Sequence, residues 1–252
     1  MHARLLLLSI LYLTFPCLIS AQGNFEIDST IKLCRFKNDK EYAGFYGKRP
    51  HFYLNDSEKK FLNCKQISFA GVDFSCMMLI NPTEVSKGEY ILNKHMPLLS
   101  GRVNGMEVYS AIDLGNKKVL HAAKISVDSY KSLENYPWIT VRDYVLDART
   151  IPAIIKSRKL EDKEGLGLLF IVEKFSKQDK TISGYWVVFD FNDRKTLLID
   201  YIKFNSVGAG SSNYGWVSYW ETALLESGIY MPISFQRYLE LARKGDVELI
   251  CD

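Results

Sequence analysis

Between Gly165 and Phe204 three apolar segments follow one another with only short polar breaks: GLGLLFIVEKF, YWVVFDF and TLLIDYIKF. The centre of the first is apolar on both faces, so a strand there must be covered from above and below. The second places Tyr185, Val187, Phe189 and Phe191 at alternate positions, the period of a strand with one buried face. Asn192-Asp193 marks the reversal into the third segment. A chain with this much consecutive strand must build its core on a sheet. The flanking helical patterns then make the fold class α+β, or α/β: a mixed, largely antiparallel sheet with helices packed on it.

Upstream, the chain opens with His2 and Arg4, no acid, and the apolar run from Leu5 to Ile19 followed by Ser20-Ala21-Gln22. That order predicts a secretory signal peptide, residues 1–21, cut after Ala21. The apolar run is fifteen residues long and contains Pro16, whereas a bilayer-spanning helix needs about 20 apolar residues. No transmembrane segment is therefore expected after cleavage. Cys17 follows the bulky Thr14-Phe15-Pro16, which is not a lipobox, so lipid anchoring there is not expected. Residues 22–252 are read as one compact α+β domain, or as two joined lobes with a boundary near 128–150.

Without its leader the chain holds 31 basic and 29 acidic side chains. This near-neutral balance gives no electrostatic reason to expect nucleic-acid binding. Four cysteines remain: Cys34, Cys64, Cys76 and Cys251. In an oxidising compartment they allow three complete pairings, and the sequence does not choose among them. The nearest two stand twelve residues apart, unlike the close pairs of zinc sites, so no structural metal and no cofactor is expected.

Other elements can be placed by pattern. Gln66 to Ile80 reads as one bent strand with a bulge at Ala70-Gly71 and with Cys76 facing the core, in phase with Val72 and Phe74. Asn81-Pro82 predicts a helix start and Pro97 a stop, with Val85, Leu92 and Met96 between them. Thr150, before Ile151-Pro152, predicts an N-cap for a helix with Ile151, Ile154 and Ile155 on its apolar stripe. Trp216, Tyr219, Trp220, Ala223 and Leu224 predict a helix packed on the sheet. A last helix runs from about Pro232 to Gly245, followed by an edge strand at Val247 to Cys251. Ile112 to Leu120 aligns without gaps on Phe189 to Leu197, which predicts two hairpins and raises an internal duplication.

For chemistry, the segment Gly208-Ala209-Gly210-Ser211-Ser212-Asn213-Tyr214-Gly215 leads from a strand into a helix, where free N–H groups can hold an anion. It fits neither the dinucleotide nor the Walker fingerprint. A close strand-to-helix turn explains its glycines. The candidate ligand-binding residues are nevertheless Gly208, Gly210, Ser211, Asn213 and Tyr214. His51, His95 and His121 are scattered, and a cysteine among strand hydrophobes such as Cys76 is expected to be inert. Asp73, Asp190 and Asp200 lie in strands, and alternation places each on a solvated face. No catalytic residue is assigned.

The stretch from Gly165 to Trp220 resembles an uncharacterised family of secreted or periplasmic Gram-negative proteins. The shared features are a Gly-x-Gly-Leu strand, Gly165 to Glu173, an aromatic strand ending Phe189-Asp190, and Thr196-Leu197-Leu198. A glycine-rich loop then leads to Asn213-Tyr214 and a tryptophan helix. In the family the tryptophan directly follows Asn-Tyr, while here Gly215 precedes Trp216. The resemblance implies export and this fold. The expected function is an exported envelope protein, non-catalytic, that binds an envelope protein or a glycan; a hydrolase of an envelope or extracellular polymer is the alternative.

Overall fold

A computed structural model of the chain describes residues 25–36, 52–55, 57, 59–80, 88–105, 112, 114, 117–122, 128–135, 137–140, 143–158, 160, 163–176, 179, 181–205, 217, 220–224, 233–245 and 249–251. The leader, residues 1–21, lies outside them.

Among the described residues ten strands form one sheet: β1 (Lys32–Phe36), β2 (Phe52–Leu54), β3 (Gln66–Asp73), β4 (Met78–Ile80), β5 (Lys118–His121), β6 (Ile139–Thr140), β7 (Leu166–Ser176), β8 (Thr181–Asp190), β9 (Thr196–Asn205) and β10 (Leu249–Cys251). The spatial order is β10-β1-β2-β9-β8-β7-β3-β5, antiparallel from β10 to β7 and parallel from β7 to β5. β4 continues along the far end of β7 and carries β6 on its outer side, both in parallel pairing. The fold is α+β with a mixed, largely antiparallel sheet, as the strand periods require.

The three apolar segments are β7, β8 and β9, at the centre, and every residue of β7 and β8 is buried. Side chains alternate between two separate cores. Leu168, Phe170, Val172, Trp186 and Val188 share one with α1 (Lys59–Asn63), α2 (Met96–Val103), helical residues 220–224 and α4 (Ile233–Lys244). Leu169, Ile171, Tyr185, Val187, Phe189 and Phe191 share the other with α3 (Ile151–Ser157) and the segment 144–148. The Trp220 ring stacks on Phe175 at 4.3 Å, fixing the predicted tryptophan helix to the first face. The last helix ends at Gly245 (φ 72), and β10 forms the edge strand. Gly167 is forced by packing, since a β-carbon there would lie 2.3 Å from the Phe189 ring.

Several expectations are corrected. The Gln66–Ile80 segment is two strands, because Met77 N–H donates to Phe74 O (3.0 Å) and turns the chain between β3 and β4. The bulge is present between Phe69 and Gly71 (φ 108), and its extra residue returns Val72 and Phe74 to the face of Ile67 and Phe69. The turn sends Cys76 to the opposite core, so it is buried but out of phase with Val72.

Pro97 does not stop a helix. Helical residues run from Gly88 to Val103, with a π turn at Ile91–His95 immediately before the proline. Met96 N–H donates to Ile91 O, five residues back. Widening the coil there relieves the clash between the proline ring and the preceding turn. Thr150 does not cap by its side chain; its hydroxyl donates to Asp147 O (2.6 Å), and Asp147 Oδ1 accepts from Arg149 N–H. The stripe of Ile151, Ile154 and Ile155 is buried as expected. The β8–β9 hairpin forms; of the other, Lys118–His121 pairs parallel to β3, while most of the preceding arm and its turn lie outside the described residues.

Among the described residues one disulfide joins Cys34 on β1 to Cys251 on β10, directly opposite in register, so the four cysteines form one bridge and not one of the complete pairings. Cys64 and Cys76 are free thiols associated with opposite faces of the sheet.

Candidate functional site

Both faces of the sheet are covered, so alternation moves a strand carboxylate from one covered face to the other. Asp73, Asp190 and Asp200 are consequently buried, not solvated. Asp73 accepts from Ser75 N–H (2.8 Å) and pairs with Arg158 (2.8 Å). Asp190 closes the β8–β9 turn by accepting from the backbone and side chain of Asn192, and it pairs with Lys60 (3.1 Å). Burial raises its pKa, but the Asn192 and Lys60 contacts outweigh that and leave it below the ordinary value. Each of these two carboxylates holds a local structure together.

A denser polar cluster lies in the second core, at a register shift between Val172 and Lys174. Glu173 is 1 % exposed. Its Oε1 accepts from Leu146 N–H (2.9 Å), and its Oε2 accepts from Ser183 Oγ (2.5 Å) and Tyr201 OH (3.2 Å). Tyr185 OH donates to Leu146 O (2.6 Å), and its ring lies 5.1 Å from that of Tyr201. Next along β7, Lys174 reaches Asp143 (2.5 Å) and Tyr144 O (2.8 Å). Desolvation pushes the Glu173 pKa up, against the pull of its three donors, and raises the Tyr53, Tyr185 and Tyr201 values. Buried groups with mutually shifted titration mark a functional-site candidate or a structural network. Here the carboxylate oxygens are occupied by the backbone and neighbouring hydroxyls, so the cluster staples segment 143–148 to the sheet.

The free thiols are also settled by their surroundings. Burial pushes the Cys76 thiol up to about 11. Such a thiol is a poor nucleophile near neutral pH. Burial likewise raises the Cys64 pKa, and Lys117 beside it donates to Leu62 O (3.0 Å) and Cys64 O (2.9 Å), closing the end of α1.

An open groove of about 570 Å³ occupies the β4–β6 edge of the sheet. One wall is the start of the helical stretch, with Gly88, Glu89, Leu92 and Asn93; the other runs from Leu133 and Glu134 to Pro137, Trp138 and Ile139. The floor is apolar, with Leu133 and Trp138 buried. Glu89 and Glu134 are exposed, one on each wall, and neither carboxylate has a hydrogen-bond or ion-pair partner among the described residues. β6 is held in place by β4: Leu79 N–H donates to Trp138 O at 2.7 Å. The walls converge where a β-carbon on Gly88 would come 2.7 Å from Ile139 Cδ1.

The five residues chosen from sequence, Gly208, Gly210, Ser211, Asn213 and Tyr214, lie outside the described residues, as does His51. His95 lies in the π turn with its ring against Tyr90, and His121 Nε2 lies 2.9 Å from Asn104 O on the β5 edge. The structure does not bring these two histidines into one site. Sequence reasoning missed the groove because its walls lie some forty residues apart along the chain. Glu173 was hidden inside an apolar run. Its one sequence signal was a lone acid in the middle of a segment covered on both faces.

Among the described residues, no helix is long and apolar enough to cross a membrane, and no group of three or more His, Cys, Asp or Glu side chains could hold a metal ion. No family model, curated protein or solved structure matches the chain.

Proposed function

We propose that the chain is an exported, non-catalytic envelope protein that binds a partner or ligand in the groove between residues 88–93 and 133–139. The observation that carries this reading is a pair of exposed carboxylates, neither in an ion pair among the described residues, standing over an apolar floor. A concave apolar surface with a few convergent polar groups is the usual form of a binding site. The leader sequence and the Cys34–Cys251 disulfide support export, since such bonds persist in oxidising compartments. The reading is tested by placing a photo-crosslinking amino acid at Asn93 and, separately, at the exposed Val145 of the segment over the second core. Capture in the envelope from position 93, suppressed by an excess of unlabelled protein and not seen from 145, is expected. Equal capture from both positions, or none from 93, would overturn it.

A hydrolase of an envelope or extracellular polymer is the second reading, favoured by Glu173, whose raised pKa and neighbouring Tyr201 hydroxyl suit a proton donor. Its test is polymer cleavage by the purified protein, abolished in Glu173→Gln. Cleavage that persists in that variant removes Glu173 from the chemistry.

A further inference from the structure

The geometry points to a basic segment of a partner protein, a lysine or arginine flanked by apolar side chains, as the occupant of the groove. This inference rests on the binding reading above and adds the chemistry of what is bound. Glu89 and Glu134 face one groove from opposite walls, no described cation lines it, and an apolar floor keeps water from screening their field as fully as on an open surface. Of the described lysines nearby, Lys131 is held chiefly by Asp128 at 3.0 Å and feels Glu134 more weakly, and Lys94 is exposed on the helical stretch beyond the lining residues. The charged residues among its described lining are thus both acidic, although the chain as a whole is near neutral.

A long basic side chain matches both of its features. The aliphatic stem lies on Leu92 and Leu133 while the head reaches a carboxylate. Asn93, exposed on the wall, supplies one donor and one acceptor for a main chain lying along it. The groove is open to solvent along its length, whereas a small-molecule site buries about 70–90 % of its ligand. An open trough suits a segment already held by a larger partner.

The test uses the full mature chain and three fluorescein-labelled heptapeptide libraries, random except for a central lysine, glutamate or leucine. Binding is read by anisotropy at low and at 150 mM salt. The lysine library is expected to bind best, to weaken with salt, and to lose roughly threefold to tenfold in affinity on Glu89→Gln/Glu134→Gln, the size of one or two exposed ion pairs. Asn93→Trp, which fills the trough from an exposed position, is expected to abolish binding. If the libraries bind alike and Asn93→Trp still abolishes binding, the groove binds but the basic occupant is overturned. If no library binds, or if Asn93→Trp changes nothing, the binding reading falls with it.

Discussion

Glu173 sits within a central strand, buried, with both carboxylate oxygens accepting hydrogen bonds, whereas Glu134 sits on a 3-10 turn, exposed, with none among the described residues. Burying a carboxylate costs several kcal/mol unless donors replace its water. Around Glu173 the protein supplies three, and in return segment 143–148 is fixed to the sheet. Glu134 has lost little water on folding, and its charge stays available. The comparison teaches that the more perturbed group is not automatically the functional one. Occupied lone pairs are committed to structure, while an unpaired charge above an apolar floor keeps its interaction free energy for something that arrives later.

The largest expected effect breaks the buried side of this comparison. Glu173→Leu leaves the Leu146 N–H and the Ser183 and Tyr201 hydroxyls without their acceptor, and is expected to lower unfolding free energy by about 3 kcal/mol in urea titration. A loss below about 1 kcal/mol would show that the network does not anchor segment 143–148. A smaller effect is electrostatic. Because the folded pKa of Glu173 is raised, its contribution to stability is fully present below the ordinary glutamate value and is lost as pH rises through the folded value. Asp143, lowered chiefly by its Lys174 contact, has the opposite sign and loses its contribution as pH falls. The Tm of the wild type relative to Glu173→Gln should therefore rise on acidification from neutral pH toward the ordinary glutamate range, and a flat difference would contradict the shift. The smallest effect belongs to the groove: Glu89→Gln and Glu134→Gln should each change unfolding free energy by less than about 0.5 kcal/mol, as surface substitutions do. A larger loss in either would mean that the carboxylate is structural after all.

What the sequence made legible follows from periodicity. The alternation in Tyr185 to Phe191, the helical spacing of Ile151, Ile154 and Ile155, and the terminal edge strand all survive in the structure, since each pattern is set by local geometry. Asp190 shows where that logic stops. Alternation correctly put it on the face opposite Phe189 and Phe191, but that face lies under α1 and not in water. Pro97 shows a second limit, because one π turn lets a helix continue through a residue that local rules read as a stop. The parallel pairing of Lys118–His121 with β3 is a third, for its residues do not say that a strand some fifty positions earlier will lie beside it. The groove needed the tertiary fold to exist at all.

The link between Cys34 and Cys251, 217 positions apart, turns nearly all of the folded chain into a closed loop. It cannot be tied until Cys251 has been delivered, so oxidation reports that the 217 residues after Cys34 have arrived. Afterwards, a protease nick at any point inside the loop opens a ring without releasing a fragment. The damaged molecule would run as one species on a denaturing gel and separate into two only when a reducing agent is added.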